Sequence, residues 1–224
     1  MSFIKDIFRK RESDQPQTDA LEQAEQSGDV IISPDVRRDN RIPPGQTRTL
    51  KWPVLHAGGV PRVNADNWSF GVKGLVDRQL TFTYKEFLEL PTVKVLSDFH
   101  CVTRWSRLDN LWEGVPTRII AERAGVKPEA KFVLVYAEEG WTTNMPVEDF
   151  LAEDALFAYK HDDRPLEADH GGPVRLVVPR LYAWKSAKWV RGVEFRATDR
   201  PGFWEEGGYH MRGDPWEEER FYWS

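Results

Sequence analysis

Val93-Lys94-Val95-Leu96-Ser97-Asp98-Phe99-His100-Cys101-Val102-Thr103-Arg104-Trp105-Ser106-Arg107 is the stretch on which the reading of this chain turns. Its first four residues are mostly apolar and β-branched, which predicts a strand leading to Cys101. The residues behind Cys101 are polar, cationic and aromatic. Cys101 is the only cysteine, so an internal disulfide, a four-cysteine zinc site and an Fe–S cluster are excluded together. Two readings of it stay open. Free cysteine is among the most buried residue types and can be purely structural. Held at a strand end beside Arg104 and Arg107, the thiol can instead ionise and act as a nucleophile or a single metal ligand. Neighbours on a strand face opposite sides, so His100 and Cys101 are not expected to converge on one atom.

Outward from this stretch the chain alternates short strands with short helices. Ser69–Val76, Phe132–Tyr136, Leu156–Tyr159, Val174–Val178 and Val193–Arg196 read as strands. Thr83–Leu90 reads as a helix: Thr83 and Glu86 have capping-box spacing, Phe82 and Phe87 staple spacing, and Pro91 ends it. Pro116–Ala124 reads as a second helix closed by Gly125, and Val147–Leu151 as a short one after Pro146. No regular strand–helix–strand rhythm emerges, so the expected class is α+β, with mixed β-sheets and short peripheral helices.

Residues 1–40 are expected to be a basic N-terminal segment and a flexible linker, and 41–224 one domain with an N-terminal arm. Within that domain the compact part is expected to start near Trp68. Residues 1–11 could form an amphipathic basic helix that meets a membrane surface or partner, or that docks on its own domain. The tail from Gly202 onward carries too many aromatic residues for a disordered segment and is expected to pack on the domain.

With 224 residues and a net charge of −5, the chain can hold a sizeable core and is not suited to general nucleic-acid binding. No stretch approaches the ~20 apolar residues of a membrane span, and the N-terminus lacks a signal-type apolar region, so stable membrane insertion is not expected and a cytoplasmic location is.

Three further clusters carry candidate chemistry. In Asp169-His170-Gly171-Gly172-Pro173-Val174-Arg175, an arginine sits among apolar residues, where an internal ion pair and anion binding are both open. Tyr182-Ala183-Trp184-Lys185-Ser186-Ala187-Lys188-Trp189 could cradle a phosphate or be a solvated turn. Gly140-Trp141-Thr142-Thr143-Asn144-Met145-Pro146 is a polar loop that could line a pocket or cap a helix. Patterns for paired-histidine metal sites, acidic calcium loops, dinucleotide or triphosphate loops and covalent haem are absent from the sequence.

Taken together, the segments from about Arg41 to the C-terminus resemble the molybdopterin-binding domain of the sulfite oxidase family, in particular its short haem-free members. The periplasmic methionine sulfoxide reductase catalytic subunit carries similar motifs. His100-Cys101-Val102-Thr103-Arg104-Trp105-Ser106 is the most specific piece, and His170 to Pro179 with Lys185-Ser186-Ala187-Lys188 the second. The resemblance implies molybdopterin as cofactor and Cys101 as metal ligand. It implies cofactor contacts from His170, Arg175, Ser186, Ala187 and Lys188, from Thr142 and Thr143, and from His56 in the arm. Arg104 is the candidate for attracting substrate. One soft thiolate is all that a metal already held by a dithiolene asks of the protein. Oxygen-atom transfer to or from a small molecule follows, with sulfite or an S- or N-oxide as the class and a separate electron-transfer partner. A reading of another class is a cofactor-free interaction domain with a structural cysteine.

Overall fold

In the computed structural model, which describes residues 17–223, the strand ending on Cys101 is an inner strand of a seven-stranded sheet. The strands in chain order are β1 (Val30–Ile32), β2 (Thr47–Arg48), β3 (Ser69–Gly74), β4 (Leu80–Thr83), β5 (Val93–Cys101) and β6 (Trp105–Pro116). They continue as β7 (Phe132–Ala137), β8 (Thr142–Pro146), β9 (Leu156–His161), β10 (Arg164–Pro165), β11 (Arg175–Val177) and β12 (Val190–Arg196). The first sheet runs β1-β5-β6-β9-β10, with β2 paired to β6 and β11 to β9; the second runs β4-β3-β12-β7-β8. Both mix parallel and antiparallel pairs. The helices are short: α1 (Gln17–Ser27), α2 (Tyr84–Leu88), α3 (Thr117–Ala124), α4 (Val147–Phe150) and α5 (Phe203–Glu206). The protein is therefore α+β, as the pattern of short elements predicts. No described helix is long and apolar enough to cross a membrane.

Local signals explain several elements. Thr83 caps α2 with the expected box: its hydroxyl accepts from the Glu86 backbone, and the Glu86 carboxylate accepts from the Thr83 backbone. Phe82 and Phe87 meet as a staple across that cap, ring centres 6.3 Å apart. Gly125 closes α3 at φ 66°, a left-handed position that glycine takes without a side-chain clash. The main core fills with Phe70, Phe87, Phe150, Phe157 and Phe195, whose rings meet edge to face or tilted.

Three expectations change. Residues 17–27, read as flexible linker from their polar composition, form α1. Ala20, Leu21 and Ala24 share one helical face and pack with Val30, Ile32, Val36 and Leu96, a stripe too narrow to stand out in the composition. The ordered fold consequently starts well before Trp68, because β1 pairs in parallel with β5 and β2 with β6. Finally, Thr142–Pro146 is an edge strand and not a loop. The basic segment 1–11 and residues 12–16 lie outside the described residues.

The aromatic tail does pack. Trp216 donates to Asp35, 2.9 Å, and Tyr209 meets Trp184 and Trp204. Tyr222 and Trp223 at its end remain exposed.

Candidate cofactor site

Cys101 closes β5 opposite Trp105 in the β5–β6 hairpin. Arg104 turns the chain there at φ 72°, and its backbone N–H donates to the Cys101 carbonyl, 2.9 Å. The alternation of the strand separates the two candidate residues as expected. His100 is buried, shares a hydrogen bond with the Ser106 hydroxyl at 2.8 Å and faces Trp216. Burial pulls its pKa down to about 4. Cys101 is 8% exposed, and its sulfur accepts from the Thr103 hydroxyl at 3.1 Å.

The cations around the thiol are not those its neighbours in sequence suggest. Arg104 reaches the Gly45 carbonyl at 3.5 Å, and Arg107 is held by Asn110, by His161 at 2.9 Å and by Asp162 at 2.8 Å. Arg220 and Lys188, both distant in sequence, are the charges that act on Cys101. Burial still dominates and pushes the thiol up, against the pull of Thr103 and these two cations.

Of the two readings of Arg175, the internal ion pair is not found among the described residues. Its guanidinium is almost wholly buried and makes no ion pair among the described residues; it donates to the carbonyls of His170 (2.9 Å), Ser186 (2.9 Å) and Leu176 (3.4 Å). The rings of Phe99, Trp52 and Trp112 surround it, with centres 5.2 to 5.7 Å away. Burial alone brings its pKa down to about 9. A buried cation supported only by carbonyls and ring faces leaves its charge uncompensated.

The loop that carries His170 is zipped to the segment that carries Lys188. The Trp189 backbone donates to Gly171 (3.2 Å) and its indole to Ala168 (2.7 Å). Gly171 has φ 104°, and a Cβ there would lie 2.9 Å from the Lys188 Cβ and 3.1 Å from the Arg175 Cβ. Glycine thus permits the two cation-bearing segments to close on each other. The Lys188 ammonium donates to the Asp169 carbonyl at 2.6 Å, and burial followed by Arg175 lowers its pKa to about 7. His170 is lowered to about 4, by burial first and then by Arg175 and Lys188. Its Nδ1 is buried without a partner. The result is a cluster with uncompensated positive charge beside a neutral imidazole.

The remaining candidates spread out. His56 lies on the arm, edge-on to Trp189 at 5.6 Å. The buried Ser186 hydroxyl accepts from the Val178 backbone at 3.0 Å, and the Ala187 carbonyl accepts from Leu176 at 2.8 Å, so both brace the cradle from inside. Lys185 leaves the cluster altogether: fully buried, it pairs with Glu205 at 2.6 Å. Thr143 belongs with it, its hydroxyl donating to the same carboxylate at 3.2 Å, and Thr142 precedes it on β8. No described hydrogen bond or ring contact joins Thr142 or Thr143 to Cys101, Arg175 or Lys188.

Reading the sequence misses Trp52, His161, Gln46 and Arg220, which the structure brings to the cluster. Trp52 stacks on His170 with centres 3.7 Å apart and lies 4.2 Å from the His161 ring. Its one signal is its place in the arm stretch that also holds His56. Arg220 comes from the tail and donates to the Val102 carbonyl at 2.9 Å. Nothing local marks it.

Comparison with known proteins follows this geometry. Residues 57–204 match the family described as oxidoreductase molybdopterin binding domain. The chain is 52% identical over 188 residues to the uncharacterized oxidoreductase YuiH of Bacillus subtilis (strain 168), covering 84% of this chain and 95% of the relative. It is 28% identical over 180 residues to the protein-methionine-sulfoxide reductase catalytic subunit MsrP of Campylobacter jejuni, covering 68% of this chain and spanning only 58% of that relative. Among solved structures it superposes on the sulfane dehydrogenase SoxCD from Paracoccus pantotrophus with a TM-score of 0.58 at 23% identity, over 62% of this chain and 41% of that one. That last likeness is one of fold.

Proposed function

The chain belongs to the oxidoreductase molybdopterin-binding domain family and is a molybdopterin-dependent oxidoreductase, and from this we propose that Cys101 supplies the protein's sulfur to the metal. We further propose that the enzyme moves an oxygen atom to or from a small substrate of the sulfite or S- or N-oxide type. The observation that carries the reading is Arg175, a buried cation with no carboxylate, whose charge acts on Lys188, which in turn acts on the one thiol of the chain.

The residues fit the cofactor. A molybdopterin is polar, anionic and rich in soft sulfur donors. The chain offers one soft ligand in Cys101. It offers uncompensated charge in Arg175 and Lys188, and it leaves His170 Nδ1 and Trp105 Nε1 buried with no partner. Orphaned buried donors and acceptors are costly, so a bound polar group that satisfies them stabilises both itself and the fold. When bound, the cofactor supplies the two-electron metal chemistry.

The chain does the rest. Arg175 and Lys188 neutralise anionic charge. Trp52 and Trp189 wall the cluster with ring faces, and His56 stands at its rim. Thr103, hydrogen-bonded to the sulfur, orients it and tempers its basicity. Oxidation of a substrate X to XO takes its oxygen from water and releases two protons and two electrons. We propose that a separate redox protein exchanges those electrons, and that the enzyme works in the cytoplasm, which cell fractionation checks. Membership of the family displaces the reading of a cofactor-free interaction domain.

Purified protein from a host that makes molybdopterin is expected to carry about one molybdenum per chain; a ratio near zero overturns the proposal. Cys101→Ser is expected to abolish turnover of every oxide and oxyanion tested while pterin stays bound. Full turnover by that variant would remove Cys101 from the metal.

A further inference from the structure

Arg175 is only 2% exposed, yet as a cofactor-holding cation it has to be reached by an anion from outside. Part of its shell must therefore move aside. Most of that shell is fixed. Phe99 and Trp112 stand on β5 and β6, which pair along their length, and the Trp112 indole donates to the Ser97 hydroxyl at 3.0 Å. The loop that supplies the His170 carbonyl is tied to Trp189 through Gly171 and Ala168. The Ser186 carbonyl belongs to a turn whose hydroxyl is bonded to the Val178 backbone.

Trp52 is the exception. Its ring lies 5.7 Å from the Arg175 guanidinium, stacks on His170 at 3.7 Å and 12°, and meets Trp112 edge-on at 5.4 Å. The chain that carries it is anchored only at its ends. Before it, the Thr49 backbone donates to Ser106 on β6 at 2.9 Å. After it, Val63 packs on the main core, Arg191 on β12 donates to the Asn67 carbonyl at 3.1 Å, and the buried Trp68 indole donates to Val190 at 3.0 Å. The segment thus runs from the first sheet to the second. Among the described residues, no hydrogen bond or ion pair joins residues 50–62 to anything outside 49–63. Ring contacts hold it to the cluster: Trp52 on His170, and His56 edge-on to Trp189 at 5.6 Å. Leu50, Val54 and Leu55 stay exposed. Gly58, at φ 83°, and Gly59 supply a hinge, since a Cβ on Gly59 would meet nothing within 4 Å. A segment with so few backbone bonds and buried apolar contacts opens at low cost.

We propose that residues 50–62 are a strap across the cofactor cluster, latched by Trp52 on His170, that swings out to admit molybdopterin to Arg175 and closes behind it. This rests on the reading that Arg175 and Lys188 hold the cofactor. Trp52 is then a gating residue, which sets how fast the cofactor enters and leaves. A wall residue that only touched the cofactor would govern release and not entry.

The test is to remove the latch. Losing a stacked, half-buried indole in Trp52→Ala is expected to raise the open fraction at least about tenfold, or ~1.4 kcal/mol. In pterin-free protein, trypsin is expected to cut after Lys51 or Arg62, both exposed on the strap, at least about tenfold faster in the variant than in the parent. Uptake of molybdopterin scales with the open fraction, so uptake and release, both followed by pterin fluorescence, are expected to accelerate together by a similar factor. Trp52→Phe keeps a ring and is expected to fall between parent and Trp52→Ala in all three measurements, so the result does not hang on the larger truncation. Faster release with parental uptake, or parental cleavage in Trp52→Ala, overturns the strap and leaves the cofactor reading intact. If the parent takes up no pterin at all, that reading fails, while the cleavage rates still decide whether Trp52 latches the strap.

Discussion

Arg175 and Lys185 are two buried cations from one short stretch of chain, and they have opposite surroundings. Lys185 has everything it needs inside the protein: the Glu205 carboxylate at 2.6 Å and the carbonyls of Asn144 (2.8 Å) and Met211 (2.6 Å). Arg175 has carbonyls and ring faces but no carboxylate. Charge balance, more than burial, separates scaffold from site. A buried cation with its own counter-ion holds two elements together; one without it leaves a charge that an anion from outside can balance.

The sharpest way to break this comparison is to delete the paired cation. Lys185→Met strands a buried Glu205, and the pterin-free protein is expected to lose about 3–5 kcal/mol of stability in urea unfolding. Adding Glu205→Gln to that variant should return more than half of the loss. A loss below ~1 kcal/mol in the single variant would mean that Lys185 is not the scaffold cation described.

Next in size is acid. His100, on the opposite face of β5 from Cys101, is held near a pKa of about 4 by burial, against an ordinary 6.5. The unfolded chain therefore binds the extra proton first as pH falls. The stabilising contribution of neutral His100 is complete above pH 6.5 and drains away as pH drops towards 4, by roughly 3 kcal/mol. His161, near 3, and His170, near 4, act in the same direction. Urea midpoints followed from pH 7 to 4 should fall less steeply in His100→Asn than in the parent.

Arg175→Met should show the reverse of Lys185→Met. Pterin per chain is expected to drop at least about tenfold, while stability of the pterin-free protein falls by less than half of the Lys185→Met loss. Equal destabilisation by the two variants would erase the distinction between them. Lys188→Gln is the smallest change, with pterin retention expected a few-fold weaker near neutrality. Because its pKa sits near 7, the deficit should shrink as pH rises above that value, where the parent lysine also loses its charge. Pterin fluorescence released on dialysis at pH 6 and pH 9 measures both.

Much of this molecule is legible in the sequence where the signal is local. The strand into Cys101, the cap on α2, the glycine that ends α3 and the buried Arg175 strand follow from patterns a few residues long. The errors share a cause as well. Residues 17–27 look like linker because the apolar face of α1 is only as wide as the small cluster it covers. Lys185 and Lys188 look alike in sequence, yet a short turn over Ala183–Lys185 sends the first inward to Glu205 and leaves the second against Cys101. Thr142 and Thr143 look like pocket-loop residues until β8 pairs with β7 and commits Thr143 to that same carboxylate.

By itself, then, the sequence determined that a lone thiol ends a strand, that an α+β fold surrounds it, and that cation-bearing turns follow. Periodicity, caps and cysteine count are properties of neighbours along the chain. The tertiary structure alone decided which cations face the thiol, which one is already paired, and that Gln46 and Arg220 arrive from opposite ends of the chain to stand beside Cys101. Those are facts about charge balance and burial, and both depend on contacts between residues that no local pattern connects.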